Sequence, residues 1–259
     1  MKVFVAHSAS QNMARRRLVS LATLLSTALL THGPAEAAGP ARAPTLLDMS
    51  GVWERDTVRR NDHYDPNTAY GKDQTPPLND EYMKVWKANF EMASKGDLSY
   101  DPSAMCLPKG FPRVMMAPIG MEILATSKQV NFYNEASVET VRVYLDGKQQ
   151  RPDPDPSYIG FTTGTWANSV LTTKTVSLRG DTLFDVTGIP HSDALTVTQK
   201  IRFLDKDTLE DIVTSSDPKA FTKDWVVRMV YRREPPSRYV DEFVCQENNR
   251  GVSPQNKKQ

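Results

Sequence analysis

Pro190-His191-Ser192-Asp193 is the polar cluster of this chain best suited to moving a proton. Imidazole has an unperturbed pKa near neutrality, so His191 suits general acid or base work, with Asp193 orienting it or stabilising its cation. The same residues also read as a capped turn, in which Ser192 and Asp193 bind local backbone amides. A second group follows from strand alternation. Over Glu139 to Leu145 the valines share one face, so Arg142 and Tyr144 share the other, and Glu135 ends the preceding strand. If that face lines a cavity, Arg142 clamps an anion while Tyr144 and Glu135 exchange protons with it. If it faces water, the same residues form ordinary cross-strand pairs. Asp62-His63-Tyr64-Asp65 sits in a polar stretch and reads as turn composition.

Other chemistry has no motif to carry it. There is no Gly-x-Gly-x-x-Gly, no phosphate loop and no Gly-x-Ser-x-Gly elbow, which argues against nucleotide enzymes and standard serine hydrolases. Neither His63 nor His191 has a His or Cys at metal-ligand spacing, so no metal and no cofactor is expected.

The N-terminal residues predict export. Arg15, Arg16 and Arg17 precede an apolar stretch from Leu18 to Leu30, and Ala35-Glu36-Ala37 offers the small residues that signal peptidase accepts. Residues 1–38 are therefore expected to be a cleaved signal peptide, with translation starting at Met1 or Met13. A membrane anchor is the other reading, but the stretch is shorter than the roughly 20 residues a spanning helix needs. Cleavage removes four basic side chains and one acidic one, so 32 basic and 31 acidic residues become 28 and 30. No basic block remains, and nucleic acid is not an expected partner. Cys106 and Cys245 would then meet an oxidising compartment, where a lone pair reads as a disulfide; two free buried thiols are the alternative.

The elements that must position these residues are mostly strands. After a Pro/Ala-rich leader at 39–47, Asp48 to Thr57 reads as a first strand. Asn79 to Lys95 is a helix, capped by Asn79 and ended by Gly96, with Tyr82, Val85, Trp86, Phe90 and Ala93 on one face. Period-two segments follow at Glu122–Ser127, Val130–Glu135, Glu139–Leu145, Ile159–Thr163, Val170–Leu178, Thr182–Thr187, Leu195–Leu204, Thr208–Ser215 and Trp225–Arg232. Short connections predict antiparallel pairing. About nine or ten strands with one N-terminal helix favour a closed barrel or curled meander over an open sheet, with a two-sheet sandwich as runner-up. The domain is expected to span 48–250, ahead of a disordered tail at 251–259.

Two resemblances add to this. Gly51-Val52-Trp53 resembles the Gly-x-Trp opening of lipocalin-type barrels, whose Trp closes the barrel floor beneath a basic side chain of the last strand; Arg228 or Arg232 would take that part here. From Leu47 to Arg250 the chain also resembles a family of secreted, uncharacterised β-rich bacterial proteins. The matching pieces are Cys106-Leu107-Pro108 with Pro112-Arg113, Tyr144-Leu145-Asp146-Gly147, Gly164-Thr165-Trp166, Pro190-His191-Ser192-Asp193, Asp217-Pro218-Lys219-Ala220-Phe221-Thr222 and Glu247-Asn248-Asn249-Arg250. After Trp166 that family has an acidic, Gly-containing turn where this chain has Ala167-Asn168-Ser169.

The leading expectation is a periplasmic or secreted lipocalin-like protein that holds a small apolar or aromatic molecule, with Trp53, Trp166 and Arg142 as ligand contacts. The rival is a cofactor-independent lyase, isomerase or cyclase using His191 with Asp193, Tyr144 or Glu135. A structural envelope protein is the third reading, and fold alone does not choose among them.

Overall fold

The computed structural model describes residues 42–56, 75–117, 119–147 and 155–248. The export segment, residues 39–41 of the leader, Asp62 to Asp65 and the C-terminal tail lie outside the described residues. Nine strands form a closed barrel: β1 (Gly51–Arg55), β2 (Met121–Ala125), β3 (Gln129–Asn134), β4 (Thr140–Tyr144), β5 (Phe161–Ala167), β6 (Val170–Val176), β7 (Thr196–Asp205), β8 (Thr208–Ser216) and β9 (Trp225–Arg233). Each strand pairs with its successor, and β9 returns to β1. Closure pairs every strand on both sides and removes the exposed edges an open sheet would have.

All of these pairs are antiparallel except one. β4 and β5 run parallel, with Val143 opposite Thr162. The antiparallel expectation fails here because sixteen residues, 145–160, separate the two strands; so long a connection can carry the chain back to the end it left. The next connection is tight. Asn168 and Ser169 turn β5 into β6 with φ of 51° and 60°, as a two-residue hairpin loop whose twist matches the strands requires.

Thr182 to Thr187 does not form a strand. Asp185 accepts hydrogen bonds from the Thr187 amide at 2.9 Å and the Thr187 hydroxyl at 2.7 Å, which turns the chain back on itself. Phe184 is thereby driven into one end of the barrel, where it meets His191, Phe221 and Trp225 with ring separations of 5.2 to 5.8 Å. Trp53 and Phe203 pack edge to face at the opposite end.

Helix α1 (Asp80–Ser94) begins as the sequence predicts, with the Asn79 side chain accepting from the Tyr82 amide at 3.0 Å. Its inner face is rotated from the expected one: Trp86 is buried, Tyr82 and Met83 pack on the core, and Val85 is exposed. The helix covers the Phe184 end, where Trp86 donates to the Thr187 hydroxyl and Asn89 to the Gly188 carbonyl. Glycine is required at 188, since a Cβ there would come within 2.5 Å of Asn89 and φ is +81°.

Two further short helices, α2 (Arg113–Met116) and α3 (Cys245–Asn248), are tied to the barrel from outside the sheet. Arg113 makes a bidentate, buried ion pair with Asp101 at 2.7 and 2.8 Å. Cys106 and Cys245 form a disulfide with Cα atoms 5.7 Å apart, which fastens the C-terminal segment to the segment before β2. No helix among the described residues is long and apolar enough to cross a membrane.

Candidate functional site

Inward positions follow directly from strand alternation. Leu171, Val197, Ile201, Leu209, Val213, Val227 and Met229 are buried and apolar, as a barrel interior requires. Polar side chains interrupt them in places, among them the Thr162–Thr175 hydroxyl pair at 2.9 Å and one longer row. Thr173, Gln199 and Asp211 lie on the inward faces of β6, β7 and β8. Thr173 is paired with Gln199 across the ladder, and Asp211 lies opposite Ile201 and Met229. The Thr173 hydroxyl donates to Gln199 Oε1 at 3.4 Å, and Gln199 Nε2 donates to Asp211 Oδ2 at 2.7 Å. Gly164 faces Thr173 on β5, where a Cβ would meet Val143 at 2.7 Å.

Asp211 is fully buried, and its Oδ1 meets no hydrogen-bond donor among the described residues. Burial among apolar side chains pushes its carboxyl up to about 7; the Gln199 hydrogen bond opposes this and the neighbouring Glu210 charge adds to it. Glu210 itself faces outward and is held between Arg202 at 2.6 Å and Arg228 at 2.7 Å. A carboxyl poised near neutrality within an apolar lining can accept a proton, give one, or receive a hydrogen bond from a bound molecule.

The residues singled out from sequence are not brought together around this row. His191 is buried at the Phe184 end, its Nδ1 donating to the Ser192 carbonyl at 3.0 Å and its Nε2 accepting from the Thr182 hydroxyl at 2.8 Å. Burial lowers its pKa and holds the ring neutral, against smaller opposing effects of the Ser192 carbonyl and of Asp217 and Asp181. Asp193 points away to the surface and pairs with Lys219 at 2.6 Å. Glu135 accepts from Arg238 and from the Asp241 amide, and chiefly the Arg238 hydrogen bond keeps its carboxyl below the usual range. Tyr144 stacks on Phe161 at 5.4 Å, on the outer phase of β4 that it shares with exposed Arg142. Trp166 lies on the inward phase near the end of β5, half-buried against the core.

Trp53 is fully buried, and its indole donates to the Met49 carbonyl at 2.9 Å. The basic side chain over it is Arg233, 4.1 Å from the ring centre, and not Arg228 or Arg232. Alternation explains the difference: Trp225, Val227, Met229 and Tyr231 face inward, so Arg228 and Arg232 face out, toward Glu210 and Asp56. Asp211 and Gln199 were missed for a related reason. Asp211 stands on the apolar phase of β8, between Leu209 and Val213, but its neighbour Glu210 makes the pair read as a charged surface patch. No protein-family model and no curated protein matches this chain.

Proposed function

We propose that this protein binds a small, mainly apolar or aromatic molecule inside its barrel. The observation that carries the reading is the Thr173–Gln199–Asp211 row, a few connected polar groups among mostly apolar inward side chains, with Arg55 and the Thr162–Thr175 hydroxyl pair among the other buried polar groups in the sheet. Sites for small molecules have this composition, apolar for affinity and sparsely polar for orientation. The long-range disulfide favours work in an oxidising compartment, which agrees with an exported, periplasmic or secreted protein. Titration with the neutral fluorophore N-phenyl-1-naphthylamine tests this reading: saturable, one-to-one enhancement is expected, and a flat titration sinks it.

A lyase or isomerase remains the second reading, and one observation favours it: Asp211 is a carboxyl held near neutrality within an apolar lining. In that reading Asp211 takes the role expected of His191, whose two ring nitrogens are both engaged by the protein.

A further inference from the structure

We propose that residues 242–246 form a flap over Lys109, latched by the Cys106–Cys245 disulfide and lifted when a dithiol reduces it. The segment is held at two points. At its near end Glu135, just past β3, accepts from the Arg238 guanidinium and from the Asp241 amide at 3.1 Å. At its far end the disulfide ties Cys245 to Cys106. Little else fastens the part between, because none of residues 235–246 is buried and few apolar side chains leave water when it docks. The bridge also lies within reach of a reductant. Both cysteines are half-buried, and Met105 and Leu107 on either side of Cys106 are exposed.

What the flap covers is an amine. Lys109 Nζ lies 5.6 Å from the centre of the Phe243 ring, two residues before Cys245, and donates to the Ala136 carbonyl at 2.5 Å. Burial lowers its pKa, with the Arg113 charge acting the same way and Glu139 and Asp101 acting against it. Release is a two-electron exchange. A thiolate of the dithiol attacks one sulfur of the bridge and displaces the other cysteine, which takes up a proton. The dithiol's second thiol gives up its proton, closes on the mixed disulfide and frees the second cysteine, so the reductant leaves as a disulfide. Phe243 then swings away about the Glu135 anchor, and Lys109 meets solvent.

Lysine acetylation reads the flap directly. The full chain is treated with acetic anhydride, once oxidised and once after dithiothreitol with its thiols blocked, and each lysine is followed by peptide mass spectrometry. Lys109 labelling should rise about fivefold or more on reduction, while Lys174 and Lys200, exposed on the outer face of the barrel, keep their rates. Cys245→Ser should reproduce the reduced pattern without any reductant. Glu135→Gln loosens the other anchor and leaves the bridge, so oxidised Lys109 should stay protected to within about twofold. Near-ultraviolet circular dichroism of the reduced protein should keep the signal of its packed aromatic rings. Unchanged protection of Lys109 after complete reduction overturns the latch. So does exposure of Lys109 by Glu135→Gln alone, since the ion pair would then be the hold. Loss of the aromatic signal on reduction, with Lys109 exposed only as the barrel unfolds, also overturns it, because the bridge would then staple the whole fold.

Discussion

The guanidinium of Arg233 lies 4.1 Å above the Trp53 ring and donates to the carbonyls of Ser50 at 2.9 Å and Asp48 at 2.6 Å. The last strand of the barrel thus holds the turn that leads into the first, and Trp53 is the surface on which they meet. Trp53→Ala should cost about 3–5 kcal/mol, as other buried Trp truncations do. Arg233→Ala should cost about 1–3 kcal/mol through lost cation–π contact and two hydrogen bonds. A double-mutant cycle by urea unfolding checks this; additive effects would show that the two side chains act independently.

Asp211 should make stability depend on pH in an unusual direction for a carboxyl. Its folded pKa is raised, to about 7 from 3.8, so between those values the folded state holds more protons than the unfolded one. The stabilising contribution is complete below about 4 and is lost as pH rises through about 7. Asp211→Asn removes this dependence. Relative to the unaltered protein the variant should gain on the order of 3–4 kcal/mol between about pH 4 and pH 8. Thermal unfolding of both proteins across that range measures the gap; a constant gap would show that Asp211 is ionised in both states.

His191 should act the opposite way. Burial depresses its folded pKa, so below the unfolded value of 6.5 the unfolded state binds the extra proton and stability falls as pH falls. His191→Gln should flatten that loss between about pH 7 and pH 5, and it should cost about 1–3 kcal/mol at pH 7 through the Thr182 and Ser192 hydrogen bonds. Probe affinity should change little, since both ring nitrogens are engaged by the protein rather than by the Asp211 row. A large loss of affinity in a folded variant would place His191 in the site after all.

The Cys106–Cys245 bridge closes a loop across a separation of 139 residues. Replacing both cysteines with serine should lower stability by about 5 kcal/mol on the chain-entropy account. The C-terminal segment keeps other anchors, Glu135 to Arg238 and to the Asp241 amide. Limited proteolysis should therefore cut first near Cys245 and leave the barrel whole. Unchanged urea midpoints with and without reductant would contradict this.

Much of the architecture was legible because it depends on neighbours in sequence. Period-two segments marked all eight strands after the helix, 48–57 marked the first, and Asn79 with Gly96 marked the helix ends. The missed features are those that depend on distant partners. Thr182 to Thr187 carries a strand-like pattern, yet the Asp185–Thr187 bonds and the packing of Phe184 on Phe221 and Trp225 at the barrel end turn it into a plug. Ser192 likewise gives its amide and hydroxyl to Asp217, at 2.7 and 2.6 Å. The segments 190–193 and 217–222 therefore meet in one structural knot, and Asp193 leaves His191 to pair with Lys219 beside it.

The sequence by itself determined which side chains share a face along each strand, because alternation is a property of the extended backbone. It also limited any disulfide to Cys106 with Cys245, since the chain has two cysteines, and the structure shows the bridge. Tertiary structure alone decided that β4 and β5 run parallel, that Arg233 covers Trp53, and that Asp211 is held near neutrality. A carboxyl's proton affinity is set by how much water and how many donors reach it, and both depend on strands that close around it from far along the chain.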